Sequence, residues 1–150
     1  MQHLEEMKEF KLDIDLKKHR DKRSNKANNY FWEMLTQICE LKDLNPLDDY
    51  KRRVKELGIF KITRIEAKDF KTLKKTWENW GEAWFCELAD REFIGDREFY
   101  ITHLYYGSSS FNTKQMSRLI DGVVQDCMQF GIETKPQAEI EAMLKEWDKR

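Results

Sequence analysis

A dense group of cations precedes the first long helical pattern of the chain, in and just before the stretch RDKRSNKANNYFW. Six lysines and arginines fall within ten residues, opposed there only by Asp21: Lys17, Lys18, Arg20, Lys22, Arg23 and Lys26. Charges packed this closely cannot be buried, so we expect them in solvent. They lie on a turn that leads into a helix, and the unpaired N–H groups of a helix N-terminus favour an anion. Phosphate is the anion that suits both features.

Aromatic residues follow these cations directly. Tyr30 and Trp32 could stack on splayed bases, each contributing on the order of 1–3 kcal/mol to binding. Trp32 falls off the apolar stripe that the following residues form at helical spacing, which favours a ligand contact or a subunit interface. The alternative is a solvated charged turn beside a core helix, with no ligand at all.

A second junction with similar chemistry occurs in YYGSSSFNTKQMSR. Here a glycine and three serines, Ser108, Ser109 and Ser110, end a strand pattern and lead into a helix, which again suits an anion. Lys114 and Arg118 are one helical turn apart and can face the same partner. The alternative is an ordinary capping turn. The Gly-Lys-Ser/Thr of a Walker loop is absent.

Motifs of catalysis and metal binding are missing from the sequence. It contains neither GxSxG nor HExxH, and the isolated cysteines, Cys39, Cys86 and Cys127, predict neither a disulfide framework nor a zinc site. Asp13 and Asp15 share one face of a predicted strand, where alternation with apolar residues indicates a solvent-facing role. We therefore expect no catalytic residues, no metal and no cofactor.

The length and composition predict one folded domain over residues 1–150. Of the 150 residues, 40% are hydrophobic, 37% charged and 13% aromatic, which argues against disorder. The charge is unevenly distributed: residues 1–75 contain 19 Lys and Arg against 14 Asp and Glu, whereas residues 76–150 contain 8 against 14. No signal-peptide pattern or apolar run of 18 residues occurs, so we expect a cytoplasmic protein.

The elements that must position these residues follow from periodicity. Strands are predicted at 10–16, 59–65, 83–88 and 97–107, the last two paired through a turn near 90–96. Helices are predicted from Ala27 through Leu41, at 43–58 and 66–81, from Asn112 or Thr113 to Gly131, and from Pro136 through Trp147. Ser24 or Asn25 is expected to cap the first helix. The fold class is α+β, a small mostly antiparallel sheet with about five helices and long C-terminal helices.

Three segments resemble proteins of phages and prophages: KRSNKANNYFW, YYGSSSFNTKQMSRLIDGVV and GIET followed after three residues by AEIEAM. That group in turn is similar to the NinB (Orf) family of phage recombination mediators. The resemblance spans about Lys22 to Trp147. Two features depart from the family pattern, namely a short N-terminus and an acidic last helix, which could face a basic region of a partner subunit.

The resemblance implies a non-catalytic DNA-binding protein of a bacterial host cell's cytoplasm. Family members are homodimers that bind single-stranded and gapped DNA, contact the host single-stranded-DNA-binding protein and help to load a recombinase. Carried over to this sequence, the DNA path would include Lys22, Arg23, Asn25, Asn28 and Trp32. The second junction would contribute Ser108, Ser109, Lys114 and Arg118.

Two other functions stay open at this point. The acidic second half and the phage resemblance suit a protein-interaction factor that blocks a host defence enzyme. A metal-dependent nuclease is the third possibility, and it would need clustered acids that the sequence pattern does not provide.

Overall fold

The computed structural model describes residues 24–148. The predicted strand at 10–16 and the cations Lys17, Lys18, Arg20, Lys22 and Arg23 therefore lie outside the described residues. Within them, helices and strands follow in the order α1 (Lys26–Lys42), α2 (Pro46–Leu57), β1 (Lys61–Glu66), α3 (Phe70–Glu78), β2 (Phe85–Ile94), β3 (Arg97–Tyr105), α4 (Thr113–Gln129) and α5 (Gln137–Asp148). Five α-helices and a three-stranded antiparallel sheet in this part of the chain confirm the α+β class.

The described chain forms two compact units. The sheet unit comprises residues 59–107, and the helical unit comprises residues 24–58 and 108–148. That residues 1–150 make a single domain stays a prediction. No helix within residues 24–148 combines the length and the apolar composition needed to cross a membrane.

Local sequence signals set several helix ends of the helical unit. The Asn45 side chain accepts the Asp48 N–H at 3.1 Å ahead of Pro46, and Gly58 ends α2 with φ +69°. Asn112 and Gln115 form the predicted capping box at the start of α4. At α1 the structure selects Ser24 over Asn25 as the side-chain partner, because the Lys26 N–H lies 3.4 Å from Ser24 Oγ while Asn25 makes no capping hydrogen bond.

The core of the helical unit is formed by the apolar faces of its helices. α1 and α4 pack against each other, and Trp147 of α5 is fully buried with its indole N–H donating to the Phe111 carbonyl at 3.0 Å. The predicted core faces were too long at two helix ends. Leu41 is 57% exposed and Phe130 is 49% exposed, because each lies in or beyond the last turn of its helix, where no helix or strand of residues 24–148 covers it.

A buried arginine links α2 to α4. Arg53 Nε lies 2.8 Å from Asp49 Oδ2, and Arg53 Nη2 lies 2.7 Å from Asp126 Oδ2. Burial by itself raises the pKa of Asp49, but hydrogen bonds from Arg52 and Arg53 outweigh burial and hold that pKa below its ordinary value. Asp49 is therefore ionised, and both of its carboxylate oxygens accept hydrogen bonds from arginine, which a buried ion pair requires.

The sheet unit has the strand order β1-β3-β2, with both pairings antiparallel. α3 packs on one face and buries Leu73 and Trp77 with Ile65, Cys86 and Leu104 of the sheet. The β2–β3 hairpin is tighter than predicted, because the strands stay paired up to Ile94 and Arg97. The turn between them consists of Gly95 and Asp96, and Gly95 adopts a left-handed backbone conformation with φ +65°. A register shift between Leu88 and Asp90 marks a bulge in the edge strand β2.

Candidate nucleic-acid interface

The two junctions predicted from separate stretches of sequence meet in the helical unit. Ser108 donates its hydroxyl to Asn28 Oδ1 at 2.6 Å and accepts the Trp32 indole N–H at 3.1 Å. Ser108 is itself buried, at 3% exposure, so the prediction that its side chain contacts DNA requires a correction. The structure thus connects Asn28, Trp32 and Ser108 in one chain of hydrogen bonds, which we call the junction network.

Trp32 is anchored on three sides by this arrangement. Its ring stacks on Tyr50, with centroids 4.9 Å apart and an interplanar angle of 25°, and meets Phe31 edge-on at 5.4 Å. Its N–H is taken by Ser108. The residue is half-buried, so only the part of the indole that faces away from Tyr50 can meet a ligand.

Tyr50 completes the junction network, although no sequence signal indicated it. It lies fully buried on α2 and hydrogen-bonds with Ser108. Burial raises the pKa of Tyr50 above its ordinary value, and the hydrogen bonds with Ser108 act in the opposite direction without cancelling it. In DDYKRR this tyrosine looks like any core residue of an amphipathic helix.

Tyr30 requires a correction. Its side chain is buried, its hydroxyl accepts the Lys135 backbone N–H at 3.0 Å, and the Lys135 ammonium lies 5.8 Å from its ring centroid. Tyr30 belongs to the apolar stripe of α1, and this position places the ring inside the protein. It is therefore not accessible for stacking on a base.

The predicted cations within residues 24–148 lie in solvent. Lys26 is 68% exposed in its side chain, and Lys114 and Arg118 are exposed on α4. Asn25 is exposed, whereas Ser109 and Ser110 are half-buried in a 3-10 turn that ends just before α4. Within this part of the chain, Lys114 and Arg118 form no ion pair.

The last turn of α5 places carboxylates beside the first residues of α1 and of α4. Lys26 Nζ lies 3.5 Å from Glu146 Oε2, and Thr113 donates its hydroxyl to Asp148 Oδ1 at 3.0 Å. The acidic last helix thus faces the chain's own cations and helix N-termini, which carboxylates stabilise. A polyanion would have to share Lys26 with Glu146.

Arg118 borders a shallow groove between α4 and α5, with a cavity of about 140 Å³. Ile120, Val124 and Ile140 contribute apolar surface to it, and Asp121 contributes a carboxylate to the same lining. Across residues 24–148 no group of three or more His, Cys, Asp and Glu side chains is arranged to hold a metal ion.

No protein-family model, curated protein or solved structure matches the chain. The resemblance to the NinB family therefore stays a prediction that rests on the three segments quoted above.

Proposed function

We propose that the protein is a non-catalytic, phage-type DNA-binding recombination mediator that binds single-stranded or gapped DNA. The observation that carries the proposal is the junction network. Two stretches that each suit a phosphate by their own residues are connected through Asn28, Trp32 and Ser108. Exposed cations of both stretches can then contact one polyanion, which competes with Glu146 for Lys26.

In this proposal the parts of the surface have different roles. Lys26, Lys114 and Arg118 neutralise phosphates, which gives affinity without reading sequence. The half-buried Trp32 offers the outer part of its indole to a base, while Ser108 fixes its orientation. Glu146 beside Lys26 limits the affinity, because it must give up part of its ion pair when a phosphate binds.

The partners follow from the resemblance and belong to the same proposal. A mediator would act as a homodimer, contact the host single-stranded-DNA-binding protein and assist a phage or host recombinase. Sizing the pure protein alone and with a gapped oligonucleotide tests the dimer and the complex together.

The test of DNA binding is fluorescence anisotropy with labelled single-stranded, gapped and duplex oligonucleotides over a range of salt concentrations. The slope of log affinity against log salt is negative, and each lost phosphate contact should make it shallower by about 0.7. Replacing both Lys114 and Arg118 by alanine should therefore make the slope shallower by about 1.4. Lys42→Ala, at the opposite end of α1 from Lys26, is the control. Absence of binding by the wild-type protein at low salt would end the proposal.

A second candidate function, a protein-interaction factor acting on a host defence enzyme, is favoured by an exposed apolar surface on the helical unit. Its residues are 40–58% exposed. The C-terminal ends of α1 and α4 lie close together there, since the Lys42 ammonium is 5.3 Å from the Phe130 ring centroid. The surface consists of Leu41, Leu44, Leu47, Met128 and Phe130.

This candidate has a separate test. A host protein that stays bound after nuclease treatment should be lost when Leu44 and Met128 are both changed to aspartate. A pure protein without DNA affinity would then support the interaction factor over the DNA-binding mediator.

A further inference from the structure

The solvent side of α3 and of the turn before it carries cations and hydroxyl groups without an exposed carboxylate. Between residues 67 and 79 the exposed positions are Lys68, Lys71, Thr72, Lys75, Thr76 and Asn79. We call this set the lysine face. The periodicity of the segment predicts its buried side and indicates no role for the opposite side.

The charges of the lysine face are only partly compensated. Lys68 Nζ lies 3.7 Å from Glu66 Oε2. The helix's own glutamate, Glu78, is occupied, because Lys74 Nζ lies 2.8 Å from its Oε2 and the Cys86 N–H also donates to that oxygen. Lys71 and Lys75 form no ion pair with any residue in 24–148. They are four residues apart, so their side chains project from the same side of the helix.

The chemistry of the lysine face distinguishes between polyanions. A helix that lies in a membrane interface needs an apolar side available to lipid. The apolar side of α3 is already used, since Leu73 and Trp77 are buried in the core of the sheet unit and Phe70 packs edge-on against Tyr100 at 5.3 Å. Lysine, threonine and asparagine without apolar neighbours are the side chains that contact the sugar–phosphate backbone of nucleic acids.

We propose that the lysine face is a second nucleic-acid contact surface, which binds the phosphodiester backbone of single-stranded DNA without reading its sequence. The inference rests on the proposed function and extends it from the helical unit to the sheet unit. Lys71 and Lys75 supply the charge, and Thr72, Thr76 and Asn79 supply hydrogen-bond donors beside it.

The experiment compares salt-dependent binding of an oligonucleotide by the wild-type protein and by three variants. Changing both Lys71 and Lys75 to alanine should make the negative slope of log affinity against log salt shallower by about 1.4. The same change should reduce low-salt affinity on the order of tenfold. Changing both lysines to arginine keeps the positive charge, so this variant should bind the oligonucleotide like the wild type. Lys42→Ala controls for the loss of a positive charge elsewhere. Exposed lysines contribute little to stability, so these variants should melt like the wild type.

A local readout separates this inference from the proposed function. Bound oligonucleotide should protect Lys71 and Lys75 from acetylation, as measured by mass spectrometry, and leave Lys42 reactive. If the wild type binds DNA but neither lysine is protected and the double alanine variant binds normally, the lysine face is not a contact and the proposed function stands. If the wild type does not bind DNA, both fall. Binding to anionic vesicles that depends on these lysines, with DNA affinity unchanged, would also overturn the inference.

Discussion

Trp32 and Ser108, 76 residues apart in the chain, are joined by a hydrogen bond of 3.1 Å from the indole N–H to the serine hydroxyl. The same hydroxyl donates to Asn28 Oδ1, so a single serine satisfies groups from two turns of α1. This contact fixes the orientation of the Trp32 indole. The indole is neither a free stacking platform nor a sealed core residue, because it is half-buried and held in one orientation.

Ser108→Ala should destabilise the helical unit by about 1–3 kcal/mol, since it leaves the Trp32 indole N–H and the Asn28 side-chain oxygen Oδ1 without their partner in a partly buried site. The free energy of unfolding from urea titrations measures the effect. Ser117→Ala, a half-buried serine on α4, is the matched control and should change stability by less than about 0.5 kcal/mol. An equal loss in the two variants would show that the junction network contributes nothing specific.

Removing Arg53 should be among the most damaging single changes to the helical unit. Its guanidinium lies between Asp49 and Asp126, and Arg53→Ala leaves the buried Asp49 with less compensation for its charge. We expect a loss of about 3–5 kcal/mol in the free energy of unfolding. Arg52→Ala removes a half-exposed neighbour that also contacts Asp49 and should cost about 1 kcal/mol or less. Similar values for the two arginines would contradict the assigned role of Arg53.

Some parts of this structure follow from local sequence and others depend on distant residues. The capping box of Asn112 and Gln115 was predictable, because its hydrogen bonds join residues three apart. The exposure of Leu41 was not, since helical periodicity continues to the end of a helix whether or not another element covers it. The meeting of Asn28 with Ser108 spans 80 residues, and nothing in either segment alone specifies it.

Stability should fall in acid because of Asp49. Its folded pKa lies below the unfolded value of about 3.9, since Arg52 and Arg53 donate hydrogen bonds to the ionised form and outweigh burial. The stabilisation is therefore complete above the unfolded pKa and is lost as the pH falls through the lower, folded value. Urea titrations at pH 7, 4 and 3 should show the decline, and Asp49→Asn should make it shallower. An unchanged pH profile in that variant would assign the acid sensitivity to other carboxyl groups.

Gly107→Ala should destabilise the sheet unit through a steric clash with Trp84. A Cβ built on Gly107 would lie 2.6 Å from Trp84 Nε1 and 2.9 Å from the Glu82 carbonyl oxygen, and one on Gly81 would lie 2.7 Å from the same indole nitrogen. The buried Trp84 indole is therefore bordered by two glycines. A methyl group on Gly107 would also press on the Glu82 backbone, which cannot shift as easily as a side chain. We expect a loss of about 1–3 kcal/mol in the free energy of unfolding. Displacement of the indole should also change the wavelength of the tryptophan emission maximum. Gly122→Ala is the matched control. Gly122 lies within α4, and a Cβ built on it would lie 3.8 Å from Arg53 Nη1, which is an ordinary contact, so this variant should be neutral or stabilising. If both variants unfold at the wild-type denaturant concentration, the close approach of Gly107 to Trp84 is not a packing constraint.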